Sequence, residues 1–446
     1  MRHVDILHDY IERFRPDRFH LFLQRLAEEF CLMAQPRRPI PVARAPVLLP
    51  RDCLEHCKKA ARLLWGVLGN EAYQRRAAAH IPRQIAPEGR RPNRIALDPG
   101  CTIGCLDFHL QGDRLKLIEM MALPPGMVGI FPGLLARYRE FLEETLGSGT
   151  VDPIVFMEGW DRHRAEQRLL EHIAGKGKVD AVAIVDWEPH SQITYGEFLY
   201  SKRLIEGGGQ GPRCVVADPR EVALKGGRPW VGGLPVDRIL NRVTMADWLL
   251  HIEEIGEYGR LLFECPEVFV YDPYLWFLAD KRALVLLSDP ETLSSSMGLD
   301  LQTAAEITEL VPLARMLDDF YDARTGSFDL ETLGGCFGSA ADIVVKPVSS
   351  HASKGILYGP CHCATEAALA ERIGRMRPGP GDYIVMKRIP PPEMPYPTGR
   401  GEAEPWKFDI RIYIMDGEMV WAGGRIYLGE YTNQLPCRYF APLFFV

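Results

Sequence analysis

The chain has 446 residues, 47% hydrophobic and 25% charged, a length beyond one growing core and a balance that excludes disordered and fibrous classes. Its 52 lysines and arginines face 59 aspartates and glutamates, a formal charge of −7, and without a long basic run this argues against nucleic acid or an anionic membrane and for a small charged substrate. The opening run MRHVDILHDYIERF brings in Asp5 and Asp9 before any signal-like apolar stretch; no window reaches the ~20 apolar residues of a spanning helix, so a cytoplasmic location is expected.

Residues 1–90 carry apolar positions such as Phe19, Leu23, Leu26 and Phe30 at helical steps, and the Arg/Pro-rich stretch 82–93 reads as a linker. From 100 to 121, CLDFHL, QGDR and LKLIEM predict a hairpin turning near Gly112, with Leu117 and Glu119 on one face and Ile118 and Met120 on the other. Pro124, Pro125 and Gly126 end it, and Leu134, Leu135, Tyr138 and Phe141 mark a helix over 133–146. Segment 151–245 runs VDPIVFME, a charged helix over 162–174, VDAVAIVDW, a helix over 196–206 and RCVVADP. This βαβαβ rhythm predicts a parallel sheet in a Rossmann-like unit. GGGQG at 207–211 follows a helix and lacks G-x-G-x-x-G spacing, so it reads as a flexible loop. Residues 250–335 read as largely helical; from 342 the chain returns to strands, with a helix over 365–376 and an apolar tail. The 11 scattered cysteines read as reduced thiols. Cys361-His362-Cys363 offers adjacent ligands that point apart, with no second pair at zinc-finger spacing.

Chemistry concentrates at three places. Lys346 closes the apolar strand IVVK, where an ammonium is costly unless an anion meets it. Ser349, Ser350, His351, Ala352, Ser353, Lys354 and Gly355 follow, small and polar enough to fold over phosphates with backbone amides; a strand-end lysine before an ordinary surface turn gives the same letters. The strand Tyr383 to Ile389 runs into Pro390, Pro391 and Pro392, and its Met386, Lys387 and Ile389 offer the walls and backbone edges that hold an adenine, although a core strand reads alike. Asp107 and Glu119 are acids embedded in apolar strands across the hairpin, expensive unless paired or bound to a cation. Side by side they suit Mg2+ carried with nucleotide phosphates, or else stand solvated on an exposed face.

The order VVKP…YIVMKRI…FDIRIYIMDG…GGRIYLGEYTN resembles the ATP-grasp superfamily, and CLDFHLQGDRLKLIEMMALPPG resembles that superfamily's metal-binding hairpin. Because the hairpin comes first, the chain resembles the circularly permuted branch typified by eukaryotic glutathione synthetase and glutathionylspermidine synthetase. CVVADPREVALKGGRPWVGGLPVDRILNRV looks like that branch's substrate domain, and the resemblance covers roughly 95–446. It implies an α/β (α+β mixed) architecture: an N-terminal helical segment (1–93), the metal-binding hairpin (94–150), a Rossmann-like substrate domain (151–250), a helical connecting region (251–340) and the nucleotide-binding part (341–446). Asp107 and Glu119 then match metal ligands, Lys346 and Lys281 match lysines on the nucleotide phosphates, and Met386 to Ile389 match the adenine hinge. Arg242 and Arg425 fall at arginines that grip substrate carboxylates, and Asp409 and Arg411 lie on a strand facing the nucleotide. The chain departs from the branch in three ways. It has Glu119-Met120-Met121 for E-x-N, Ser349, Ser350 and SHASKG for an acid and a triple-glycine loop, and Cys105 for an arginine.

The activity implied is an ATP- and Mg2+-dependent carboxylate–amine ligase. ATP phosphorylates a small acid, an amine attacks the acyl phosphate, and ADP and phosphate leave. A non-catalytic nucleotide-binding or scaffold protein on the same fold, and an ATP-dependent kinase, remain the alternatives. A homodimer is left open.

Overall fold

The computed structural model describes residues 2–34, 39–85, 102–152, 154, 156–175, 177–322, 324–349, 355–359, 365–376, 378–430, 432 and 438–446. Ser350, Ser353, Lys354 and the Cys361-His362-Cys363 group lie outside the described residues, as does most of the stretch 82–93.

Amphipathic runs at the amino terminus form α1 (His3–Arg13) and α2 (Pro16–Glu29). A short strand, β1 (Val47–Leu49), interrupts this otherwise helical region before α3 (Asp52–Leu68) and α4 (Glu71–Ala78). The hairpin follows as β2 (Ile103–Gln111) and β3 (Arg114–Met121), turning through Gly112 at φ 66°. Then come α5 (Phe131–Leu146), α6 (Arg162–Ala174), β4 (Ala181–Val185), α7 (Tyr195–Glu206), β5 (Arg213–Ala217) and β6 (Arg238–Asn241). Gly207, with φ 50°, caps α7, so the glycine run begins as a helix stop. The region 250–335, read as largely helical, also contains β7 (Ala314–Met316). After it come β8 (Ile343–Pro347), β9 (Leu357–Tyr358), α8 (Glu366–Met376), β10 (Tyr383–Lys387), β11 (Glu393–Gly399), β12 (Glu402–Met415), β13 (Glu418–Tyr427) and β14 (Arg438–Phe445).

Three sheets position the site. The largest has the order β1-β14-β13-β12-β2-β3, with β11 added to β12. The apolar tail is therefore an interior strand: β14 lies between β13 and the parallel β1, with Leu443, Phe444 and Phe445 buried. A parallel sheet, β5-β4-β6, carries the right rhythm for its crossover helix α7, and a small antiparallel sheet is ordered β7-β10-β8-β9. The small sheet has its own apolar cluster around Val345, Leu369, Ile373 and Val385, whereas Ile384 and Met386 join the main core. Alternation along β10 thus turns Met386 toward the rest of the molecule.

The large sheet uses its two faces differently. On one, α3 packs so closely that a Cβ on Gly104 would lie 2.3 Å from the Trp65 ring. On the other, Phe131 meets Gly423 in the same manner, with a Cβ at 2.2 Å, and the rows beside it carry charged side chains. No helix among the described residues is long and apolar enough to cross a membrane.

Candidate nucleotide and substrate site

The hairpin register explains the site. Asp107 pairs with Glu119 and Phe108 with Leu117, so Ile118 is an extra residue bulged out of β3. The bulge reverses the alternation expected of this strand: Leu117 faces the core opposite Phe108, and Glu119 shares a face with Asp107. It also frees a carbonyl, and Ile118 O accepts a 2.7 Å hydrogen bond from Lys346 Nζ at the end of β8. Lys281 stands just before a short helix, and its backbone N–H donates to Val348 O at 3.4 Å. Its Nζ lies 3.3 Å from Glu119 Oε1. Two buried lysines from distant parts of the chain thus converge on one carboxylate at the joint between the large and small sheets.

Electrostatics follow from that convergence. Burial pushes Lys346 down to about 8, with Lys281 adding to the fall and Glu119 opposing it. Burial works against the charge of Glu119 too, but Lys281 and then Lys346 outweigh it and hold the carboxyl below its usual range.

Asp107 has a different fate from the metal-ligand role expected of it. It is 1% exposed and accepts 2.7 and 2.6 Å bonds from Arg411 Nε and Nη2, and a 2.7 Å bond from Arg425 Nη2. Burial opposes its ionisation, yet the two guanidiniums win and keep its carboxyl low. A carboxylate saturated in this way does not fit magnesium. Among the described residues no group of three His, Cys, Asp or Glu assembles for a metal, and the thioethers of Met120 and Met121 are poor ligands for a hard ion.

The two arginines expected to grip substrate carboxylates are also engaged. Arg425 donates its backbone N–H and Nε to Asp409, each at 2.8 Å, besides its bond to Asp107. Arg242 Nη1 donates to the carbonyls of Pro124 and Pro125, and its Nη2 is 3.8 Å from Glu197. Glu197 in turn accepts the amides of Met127 at 2.7 Å and Gly129 at 3.2 Å, while Tyr413 Oη donates to Gly126 O at 3.0 Å. Arg242 is therefore a latch between the parallel sheet and the 124–129 loop. Asp409 and Arg411 do lie on the charged face, but they hold other residues of the site.

At the hinge, Met386 is buried between β7 and β8, paired with Ala314 and Val344. Lys387 turns away: its Nζ donates to Phe337 O at 2.7 Å and its amide to Leu313 O at 2.8 Å. Ile389 meets the large sheet through its carbonyl, 2.8 Å from His109 Nδ1. Gly355, at φ 73°, returns the chain onto Pro347, whose Cγ is 3.3 Å from where a Cβ would stand. Ser349 lines a cavity of about 820 Å³ with Val348, Tyr383, Phe277 and Arg282; neither lysine nor Glu119 lines it.

Two residues escaped the sequence reading. His109 stands two positions after Asp107 on one face of β2, and the i, i+2 spacing was the available signal. Burial lowers its pKa and so favours the neutral ring, against the pull of the Ile389 carbonyl. Asp186 follows β4 at the carboxyl edge of the parallel sheet, where ligands of such sheets gather. Burial pushes its carboxyl up to about 8 against the pull of Arg242 and the Trp187 amide. Because the folded pKa is raised, this group withdraws stability as pH climbs from about 4 toward 8. Asp186→Asn should therefore match the parent at pH 4 and exceed it at pH 8.5. Urea denaturation at both pH values checks this, and a variant weaker than the parent at pH 8.5 refutes it.

Comparison with known proteins agrees with this architecture. No protein-family model matches the chain, and no curated sequence is significantly similar to it. In fold it is similar to a glutathione synthetase-like effector from Globodera pallida in its apo form, with a TM-score of 0.56, 11% identity, and 91% of this chain and 90% of that chain covered. It also aligns, less closely, with a gamma-glutamylcysteine synthetase candidate from Methylobacillus flagellatus KT: TM-score 0.40, 12% identity, 77% and 80% covered. The chain has the mixed α/β fold of the glutathione synthetase-like structures.

Proposed function

We propose that the protein binds ATP between its large and small sheets and couples it to joining a small carboxylic acid with an amine, through an acyl phosphate. The observation that carries this reading is the convergence of Lys281 and Lys346 on Glu119. Two ammonium groups beside a hinge strand are what transferring phosphoryl groups need, because such catalysis is chiefly positioning and charge neutralisation. Lys346 and Lys281 would hold the phosphates, Met386 and the Ile389 backbone would border the adenine, and Glu119 would keep both lysines charged and aimed. Nucleotide would arrive with magnesium from solution. Arg411, Arg425 and Asp107 would brace the floor of the site.

A second reading has one observation in its favour. Arginine-locked Asp107 leaves Glu119 as the one acid of the expected pair still facing the lysines, which suits a nucleotide-binding protein that does not turn over. The two readings share a first test. MgATP should raise the melting temperature, with about 2.7 kcal/mol of stabilisation at a hundredfold excess over Kd, and Lys281→Met should shrink that shift. No shift at millimolar MgATP removes both readings. A phosphate-release screen of paired acids and amines, mainly amino acids and short peptides, then separates ligase from binder.

A further inference from the structure

The cavity of about 820 Å³ that takes in Ser349 has no part in the nucleotide site. Its wall includes the residues that follow the two lysines in the chain, Arg282 after Lys281 and Pro347 and Val348 after Lys346. Its charges are sorted by sign. One group is Arg76 on α4 with His80 just after that helix, next to Arg282. Arg282 is neutralised by Asp280, whose carboxylate oxygens lie 3.2 and 3.1 Å from its Nε. Burial and then Arg282 hold the His80 ring toward its neutral form, so the standing positive charge of this group is the exposed Arg76. The other group is Asp318 and Asp382, which one glycine turn gathers: the Gly381 amide donates to Asp318 Oδ2 at 2.8 Å and the Gly379 amide to Asp382 Oδ2 at 2.7 Å. Each bond uses one carboxylate oxygen and leaves the charge in place. The charges acting on His80 are Arg282, Asp280 and Arg76, and the two acids are not among them, so the groups stand apart. Phe277, Val285, Leu286 and Met316 make the rest of the lining largely apolar.

We propose that this cavity binds a short apolar peptide with free termini, its carboxylate on Arg76 and its ammonium on Asp318 and Asp382. A wholly anionic ligand, such as a nucleotide phosphate, would meet the two acids, and a polyamine would meet Arg76; a molecule with one charge of each sign meets neither penalty. The volume lies in the range that encloses a drug-sized ligand. Three extended residues span roughly 10 Å and fit where a single amino acid would leave most of the space to water.

Trileucine is the probe, with N-acetyltrileucine lacking its ammonium and trileucine amide lacking its carboxylate. Calorimetric titration of the full chain at constant ionic strength should show the parent preferring trileucine at least tenfold over each blocked form. Arg76→Gln should erase the preference over the amide and keep the preference over the acetyl form. The double variant Asp318→Asn, Asp382→Asn keeps an acceptor for the Gly381 and Gly379 amides and should do the reverse. Saturating MgADP should leave trileucine affinity within twofold. A parent that does not bind trileucine or does not distinguish the three, variants that keep the parent's preferences, or displacement by MgADP would each overturn the assignment. None of these titrations requires nucleotide binding for its result, so a chain that binds trileucine and not MgADP keeps this site and loses only the nucleotide reading.

Discussion

Asp107→Asn is expected to cost about 3–5 kcal/mol of stability in chelator-treated protein, the usual penalty for removing one partner of a buried ion pair. The carboxylate accepts three charge-assisted bonds from two guanidiniums and is sealed from water, so asparagine strands Arg411 and Arg425 with less than their full counter-charge. The sign of the effect separates two roles. A magnesium ligand without its ion would be a like-charged neighbour of Glu119, and neutralising it would leave stability level or higher. Urea denaturation of the parent, Asp107→Asn, Arg411→Met and the double variant in EDTA measures both the loss and the coupling. A loss below about 0.5 kcal/mol, within the range of ordinary surface substitutions, would sink the ion-pair role.

Lys346→Met should weaken nucleotide binding by about 10- to 150-fold, corresponding to the 1.5–3 kcal/mol of a hydrogen bond to a charged group. The bond seen from its ammonium goes to a neutral carbonyl, Ile118 O, so its charge is available to a phosphate. Its folded pKa of about 8 lies below the ordinary lysine value. Below pH 8 the buried ammonium therefore withdraws stability, which returns as pH rises from about 8 toward 10.5. Binding runs the opposite way. Above pH 8 the parent must take up a proton to hold the phosphates, so ATP affinity should fall by up to tenfold per pH unit. Titrations at pH 7, 8 and 9 on both proteins check this: the parent should slope downward and Lys346→Met should be flat. Equal slopes would show that another group senses the proton.

What the sequence by itself determined was periodic or local. The hairpin with its turn at Gly112, the helices over 162–174 and 196–206, and the parallel rhythm of the middle segment all rest on spacing that a chain carries before it folds. Lys346 and Glu119 were legible as candidates because buried charges in apolar strands are costly and need a reason. The tertiary structure decided the rest, because partners far apart in sequence were needed. Asp107 became an ion-pair centre only when residues more than 300 positions later, Arg411 and Arg425, were paired beside it. A single bulge at Ile118 turned Glu119 onto the face of Asp107 and presented a carbonyl to Lys346, and strand alternation has no signal for an inserted residue. β1 was too short to break a helical pattern, and the apolar tail looked terminal until it paired with both β13 and β1. Arg411 and Arg425 were two arginines among many; their place became visible when the register of β2, β12 and β13 set them beside Asp107, since only the register says which side chains stand together.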